Sequence, residues 1–255
     1  MPVIVKIINS AVEMRLEVGG RVGMSVEEAK RRVGEYACRF VKDGYVLALG
    51  SGSTAAYFVR ALGRKVKEEG MKVQAIPSSY QIMRVAVDAA VPLTTLIEHP
   101  EADLDIDGAD EVDPDLNLVK GGGGALTSEK ILAAASKEYV VIVDYGKRVD
   151  RLGSRYPIPV EIIPYAYRFV SKELTKIGGE PALRLTDKKG EVQPFITENG
   201  NFILDTRFAT VTNPYRLQDA IKRIPGVVEH GLFLGMTKRV CVGYEDRVEV
   251  LERKV

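Results

Sequence analysis

Tyr45-Val46-Leu47-Ala48-Leu49-Gly50-Ser51-Gly52-Ser53-Thr54 decides the architecture. The unbroken apolar run Tyr45–Leu49 reads as a strand buried on both faces, as in parallel sheets. A turn of small residues follows it, and Ala55 to about Glu69 reads as a helix. Strand, glycine-rich turn and helix together make an anion site. Small residues let backbone N–H groups and the helix N-terminus face a phosphate. The turn alone does not choose its ligand. Gly-x-Gly-x-x-Ala is a variant of the dinucleotide fingerprint. The next strand, Lys72–Ile76, however, ends in Pro77-Ser78-Ser79 and offers no ribose-binding carboxylate. A Walker loop needs Gly-Lys-Ser/Thr, and this turn has no lysine. A tight turn without a ligand is the bland alternative. A small phosphate monoester fits better, because Ser51, Ser53 and Thr54 add hydroxyl donors.

The strand-helix alternation continues outward in both directions. Upstream, Ser25 and Glu28 form a capping box for a helix whose apolar face is Val33, Tyr36, Ala37 and Phe40. Downstream come a helix over 79–89, a short strand near Leu93–Leu96, a strand around Leu104 and Ile106, a helix from about Glu129 to Lys137, and a strand Tyr139–Val143 ending at Asp144. Such alternation predicts a parallel sheet with helices on both faces, and ligands at the carboxyl ends of its strands. Gly50–Thr54, Ser78-Ser79, Asp107–Asp110 and Asp144–Lys147 should therefore open on one edge. Residues 1–23 have no clear periodicity beyond a possible strand at Val3–Ile8. They are expected to form a peripheral extension that can be deleted without loss of activity, with Met24 as an alternative start.

The centre of the chain is DLDIDGADEVDPDLNLVKGGGGALTSE, Asp103 to Glu129. Four consecutive glycines, Gly121–Gly124, contribute no side-chain burial and cost backbone entropy. A stretch so poor at building a core is suited to holding polar groups around a ligand. Thr127-Ser128 is expected to cap the helix that follows. Asp103, Asp105, Asp107 and Gly108 match the first half of a calcium-binding loop, but Pro114 stands where a bidentate glutamate is needed. A solvated acidic turn is the other bland reading. Glu129, in the first turn of a helix, has an ordinary role in complementing the helix dipole. Lys120 and Lys147 have the ordinary role of surface charge.

Composition removes several classes of function. Lys and Arg number 36 against 35 Asp and Glu, a formal charge of +1. That balance gives no electrostatic case for nucleic acid or an anionic membrane. No apolar run approaches the roughly 20 residues of a membrane helix, and no uninterrupted signal-peptide core is visible. Two cysteines, Cys38 and Cys241, and two histidines, His99 and His230, leave little for a disulfide framework or a metal centre. They read as structural residues of a protein in a reducing cytoplasm.

After Gly153 the pattern changes. Strand Val160–Ile163, a helix from Ala166 to Ile177, strand Ala182–Leu185, a hairpin turning at Asn199-Gly200 with arms Pro194–Thr197 and Phe202–Asp205, a helix after Asn213-Pro214 and a strand Gly226–Phe233 give the order β-α-β-β-α-β. The expected fold class is α/β, a Rossmann-like parallel-sheet domain with an inserted ferredoxin-like α+β lid domain. The expected divisions are 24–153 for the catalytic domain, completed by 234–255, and 154–233 for the lid.

Taken together, Leu49–Ala55, Asp107-Gly108-Ala109-Asp110-Glu111, Lys120–Gly123 with Leu126–Lys130, and Gly226-Val227-Val228 with Gly231-Leu232-Phe233 resemble the ribose-5-phosphate isomerase A family. Pro77-Ser78-Ser79-Tyr80-Gln81 looks like its archaeal branch. The resemblance runs from about Ser25 to the carboxyl end. It implies interconversion of D-ribose 5-phosphate and D-ribulose 5-phosphate without a cofactor or metal, by a homodimer or homotetramer. It implies Glu129 as base and Asp107 and Asp110 as handlers of hydroxyl protons and ring opening. It implies that Lys30, Ser51, Gly52, Ser53, Thr54, Gly108, Ala109, Lys120, Gly121, Gly122, Gly123 and Lys147 hold the sugar and its phosphate. The rivals are a non-catalytic sugar-phosphate sensor, which would carry a DNA-binding module, and a lactonase or deaminase, which would need a histidine near the acidic loop. Neither feature is in the sequence.

Overall fold

The computed structural model describes residues 3–8, 25–188 and 190–253. Its first half runs β1 (Val3–Ile8), α1 (Val26–Ala37), β2 (Val46–Leu49), α2 (Ser53–Glu69), β3 (Gln74–Pro77), α3 (Tyr80–Asp88), β4 (Leu104–Asp107), β5 (Glu111–Val112), β6 (Leu118–Val119), α4 (Leu126–Ala135) and β7 (Tyr139–Asp144). The second half runs β8 (Ile158–Ile162), α5 (Tyr167–Lys176), β9 (Gly179–Leu183), β10 (Leu185–Lys188), β11 (Glu191–Pro194), β12 (Phe202–Phe208), α6 (Pro214–Lys222), β13 (Val227–His230), β14 (Leu232–Phe233), β15 (Arg239–Gly243) and β16 (Val248–Arg253).

Helix starts follow local chemistry. The side chains of Ser25, Ser79 and Asn213 accept the N–H groups of Glu28, Ile82 and Arg216. Helix α2 stops at Gly70, which adopts the left-handed conformation at φ +69°.

The main sheet has the order β1-β16-β15-β7-β4-β2-β3. Neighbours from β15 to β3 pair in parallel. Strands β16 and β1 add antiparallel at the edge. Residues 9–24 lie outside the described residues. Alternation along each strand separates two faces. Leu47 and Leu49 of β2, Leu104 and Ile106 of β4, and Val140 and Ile142 of β7 pack with Val33, Phe58, Leu62 and Ile82 from α1–α3. On the other face Val141 and Val143 meet Leu118, Phe233 and Val240, while Ala48 meets Leu132 of α4. Asp105 and Asp107 alternate with Leu104 and Ile106, so they project to this second face.

A separate four-stranded sheet has the order β13-β8-β12-β9, with every neighbouring pair antiparallel. Val170 and Leu174 of α5 and Ile221 of α6 cover it. This is the split β-α-β pattern expected of the ferredoxin-like insertion. No helix among the described residues is long and apolar enough to cross a membrane.

The details differ from expectation in three places. Leu93 makes an isolated bridge to Ala75, with no strand over 93–96. The hairpin ladder is β10 with β11, turning near Gly190. Asn199-Gly200 does turn the chain, closed by Thr197 and Asn201, but β12 pairs with β8 and β9. Strands β8 and β9 captured what sequence assigned to a local partner. The last strand of the insertion also divides: Val227–His230 pairs with β8, whereas Leu232–Phe233 pairs with β6 in a small sheet of β14, β6 and β5.

Candidate active site

Loops after four parallel strands meet at one cavity of about 910 Å³. Ser51–Thr54 follow β2, Ser79 and Gln81 follow β3, Gly108–Asp110 follow β4, and Asp144, Gly146 and Lys147 follow or end β7. Lys30 of α1, Lys120–Ala125 and Glu129 of α4 complete much of the wall. The shared edge expected from the strand-helix alternation is therefore present.

A buried ionic cluster forms the cavity floor. The ammonium of Lys120 lies 2.7 Å from Asp107 Oδ2 and 3.3 Å from Glu129 Oε2, and it donates to the Gly108 carbonyl at 2.8 Å. Asp105, Asp107, Lys120 and Glu129 are all buried. Asp107 fits because position 50 is glycine: a Cβ there would stand 1.8 Å from its Oδ1.

Burying a carboxylate disfavours its charged form. Burial, reinforced by Asp107 and opposed by Lys120, pushes the Glu129 carboxyl up to about 7. Burial also raises Asp107, against the pull of Lys120, and it raises Asp105 well above the usual range with help from the Asp107 charge. Burial works against the Lys120 cation too, but Asp107 and Glu129 outweigh it and hold the ammonium charged. The result is a cationic donor beside a carboxyl group that changes protonation near neutral pH.

Asp110 points at the glycine loop. Its Oδ2 accepts the Gly122 N–H at 2.7 Å, and a Cβ on Gly122 would stand 2.8 Å from Oδ1. At the other end of the cavity, Ser51 Oγ lies 2.8 Å from Ser78 Oγ and 2.6 Å from Ser79 Oγ, beside the N-terminus of α2. Lys147 is half-buried, packs its ammonium 4.9 Å from the Tyr156 ring centre, and makes no ion pair with a described residue. Lys30 lines the cavity, but Glu27 pairs with it at 2.8 Å.

The structure thus gathers every residue expected at the site, with Asp107 just beneath the wall. It also adds residues that sequence reasoning passed over: Arg155, Tyr156, Phe195, Ile196 and Glu198 line the same cavity. Glu198 accepts the Tyr80 N–H at 2.9 Å, joining the inserted unit to the start of α3. One expectation is corrected. Helix α4 begins at Leu126 after Ala125, with no side-chain cap. The Thr127 hydroxyl donates instead to Glu161 Oε2 at 2.5 Å, because a buried carboxylate competes better for it than the helix end does.

Residues 74–247 match the family described as ribose 5-phosphate isomerase A (phosphoriboisomerase A). The chain belongs to that family. The family member from Methanocaldococcus jannaschii is 46% identical over 231 residues, covering 90% of this chain and 100% of its own. The one from Methanococcus aeolicus is 44% identical over 218 residues, covering 85% and 92%. The solved ribose 5-phosphate isomerase A of Methanocaldococcus jannaschii superposes with a TM-score of 0.85 at 44% identity, over 89% of this chain and 100% of that one. A solved D-ribose-5-phosphate isomerase in complex with phospho-erythronic acid also gives 0.85, at 39% identity over 90% and 100%.

Proposed function

We propose that this chain interconverts D-ribose 5-phosphate and D-ribulose 5-phosphate through an enediolate, with Glu129 as the general base. The observation that carries the reading is Glu129 itself: a buried carboxyl raised to about 7, 3.3 Å from a lysine, on the wall of a cavity rimmed by an anion turn. A base is most effective when its pKa lies near the working pH.

The steps follow from the chemistry of the open-chain sugar. Glu129 takes the proton from C2, and the electrons move to the C1 carbonyl oxygen. Lys120 and the glycine-loop N–H groups stabilise the negative oxygen that results. Asp107 and Asp110 exchange protons with the C1 and C2 oxygens and assist ring opening. Glu129 then returns its proton to C1, leaving the ketose and the enzyme as it began. Ser51–Thr54 and Lys147, with Lys30 beside them, receive the phosphate. Phospho-erythronate, the ligand of the solved relative, is one carbon shorter than the substrate and ends in a planar carboxylate. Its shape matches an enediolate held this way.

On the same reading, 24–153 with 234–255 form the catalytic domain, 154–233 form the lid, and 1–23 are peripheral. The assembly is a homodimer or homotetramer, which light scattering would measure. A reducing cytoplasm suits Cys38 and Cys241, both free and buried, with thiols that burial pushes up to about 12. The direct test is to incubate purified protein with ribose 5-phosphate, with and without EDTA, and follow ketose formation. Equal turnover in both arms is expected. No ketose in either arm would end the proposal, and loss of turnover with EDTA alone would end its metal-free form.

A further inference from the structure

Arg184 follows β9 in the inserted sheet, yet its guanidinium reaches across to the glycine loop. One Nη1 donates to the Gly121 carbonyl at 2.8 Å and to the Gly122 carbonyl at 3.2 Å. The rest of the fork is fixed on Asp205 of β12: Nε to Oδ2 at 2.8 Å and Nη2 to Oδ1 at 2.5 Å. The Phe195 ring packs 5.8 Å from the guanidinium carbon. The side chain is 14% exposed, so solvent competes little for these bonds.

A trans peptide is planar, and its C=O and N–H point in opposite directions. Pulling the Gly121 carbonyl toward Arg184 turns the Gly122 N–H the other way, and that N–H does meet Asp110 at 2.7 Å. Holding the Gly122 carbonyl likewise turns the Gly123 N–H away from Arg184, on the side where Gly123 lines the cavity. Glycines have no intrinsic preference that would fix these two peptide planes. An outside clamp is needed if their N–H groups are to be aimed before substrate arrives.

We infer that Arg184 is a positioning residue for the isomerisation: by gripping two carbonyls of the glycine loop from the inserted sheet, it turns the Gly122 N–H onto the Asp110 carboxylate and aims the Gly123 N–H at the oxygen that becomes negative in the enediolate. The inference rests on the isomerase reading given above. A plain structural role, tying two sheets together, would be met by pairing with a side chain. Here the contact falls on two loop carbonyls: the N–H across from one meets Asp110, and the residue carrying the other, Gly123, lines the cavity. The clamp also makes the inserted unit a contributor to transition-state stabilisation, beyond covering the sugar.

The test uses Arg184→Met, Arg184→Lys and the milder Asp205→Asn in the full chain. In folded Arg184→Met, kcat should fall about 10–100-fold, less than the roughly 10²–10³-fold of deleting an oxyanion donor outright, with KM within about threefold. The inhibition constant for phospho-erythronate should weaken by the same factor as kcat/KM. Arg184→Lys should recover part of the loss, since an ammonium can reach a carbonyl but cannot also hold Asp205 at both oxygens. Asp205→Asn covers the case in which Arg184→Met does not fold, and should lower kcat in the same sense by a smaller factor. Amide shifts and hydrogen exchange at Gly122 and Gly123 should move in each variant. They read the clamp whether or not sugar turns over, so an inactive wild type would count against the isomerase reading while these amides still decide the role of Arg184. Unchanged kcat in folded variants of an active enzyme, a rise in KM alone, or unmoved glycine amides would overturn the inference.

Discussion

Glu129 and Glu161 are both buried glutamates near the first turn of α4, and they differ in what surrounds them. Glu161 is saturated. Its Oε1 accepts from Thr197, Asn199 and Asn201, and its Oε2 accepts from Thr127. Glu129 has Lys120 at 3.3 Å and faces the cavity. A carboxylate whose two oxygens are both engaged is held in one geometry. A carboxylate short of donors is expensive to ionise and therefore basic. The residue type is the same, and the supply of donors separates a fixture from a reagent.

The sharpest way to break this contrast is to remove each charge in turn. Glu129→Gln should lower kcat by about 10³–10⁴-fold, toward the upper end expected of general-base catalysis, with substrate binding retained by calorimetry. Near-normal kcat would remove Glu129 from the mechanism. Glu161→Ala should instead act on stability, removing the acceptor of four neutral donors and costing about 1–3 kcal/mol in denaturant unfolding, while the folded fraction keeps far more activity than Glu129→Gln.

The pH dependence sharpens the same point. Activity should rise as pH climbs through about 7, where Glu129 ionises. Stability should run the other way. The folded pKa of Glu129 is raised above its ordinary 4.5, so its contribution to stability is complete below 4.5 and lost as pH rises through about 7. Glu129→Gln should match the wild type near pH 4 and be more stable at pH 8, by about 3 kcal/mol. A variant less stable than wild type at pH 8 would contradict the donor-starved picture. Lys147, half-buried and outside both environments, is the smallest case. Lys147→Ala should raise KM about 10-fold with kcat held, because phosphate is gripped alike in ground and transition states. A fall in kcat alone would give that lysine a part in the chemistry.

Much of this was legible in the sequence. Tyr45–Thr54 carried the strand-turn-helix unit, and the alternation of Leu104 and Ile106 with aspartates placed Asp107 at a strand end. Glu129 and Lys120 were readable through the family motif, since position alone gave Glu129 a helix-dipole role and Lys120 that of surface charge. The rest lay in long-range pairing. Asn199-Gly200 has strong local turn chemistry, yet β12 was taken by β8 and β9, a competition that no local window contains. Glu198 meets Tyr80 across 118 positions of chain, and the Glu161 donors come from both sides of it in sequence. Arg184 carries no local signal of its loop contact, because its partners there are the Gly121 and Gly122 carbonyls, backbone atoms with no residue signature.

Gly50 sets a limit on redesign. The space a side chain would take there is already filled by the acid at 107. The glycine turn after β2 and the acidic end of β4 are consequently one inseparable module: a transplanted turn bearing even a methyl at that point evicts the carboxyl group. Anyone seeking altered sugar preference would do better at Ile196, which lines the same cavity from the inserted unit.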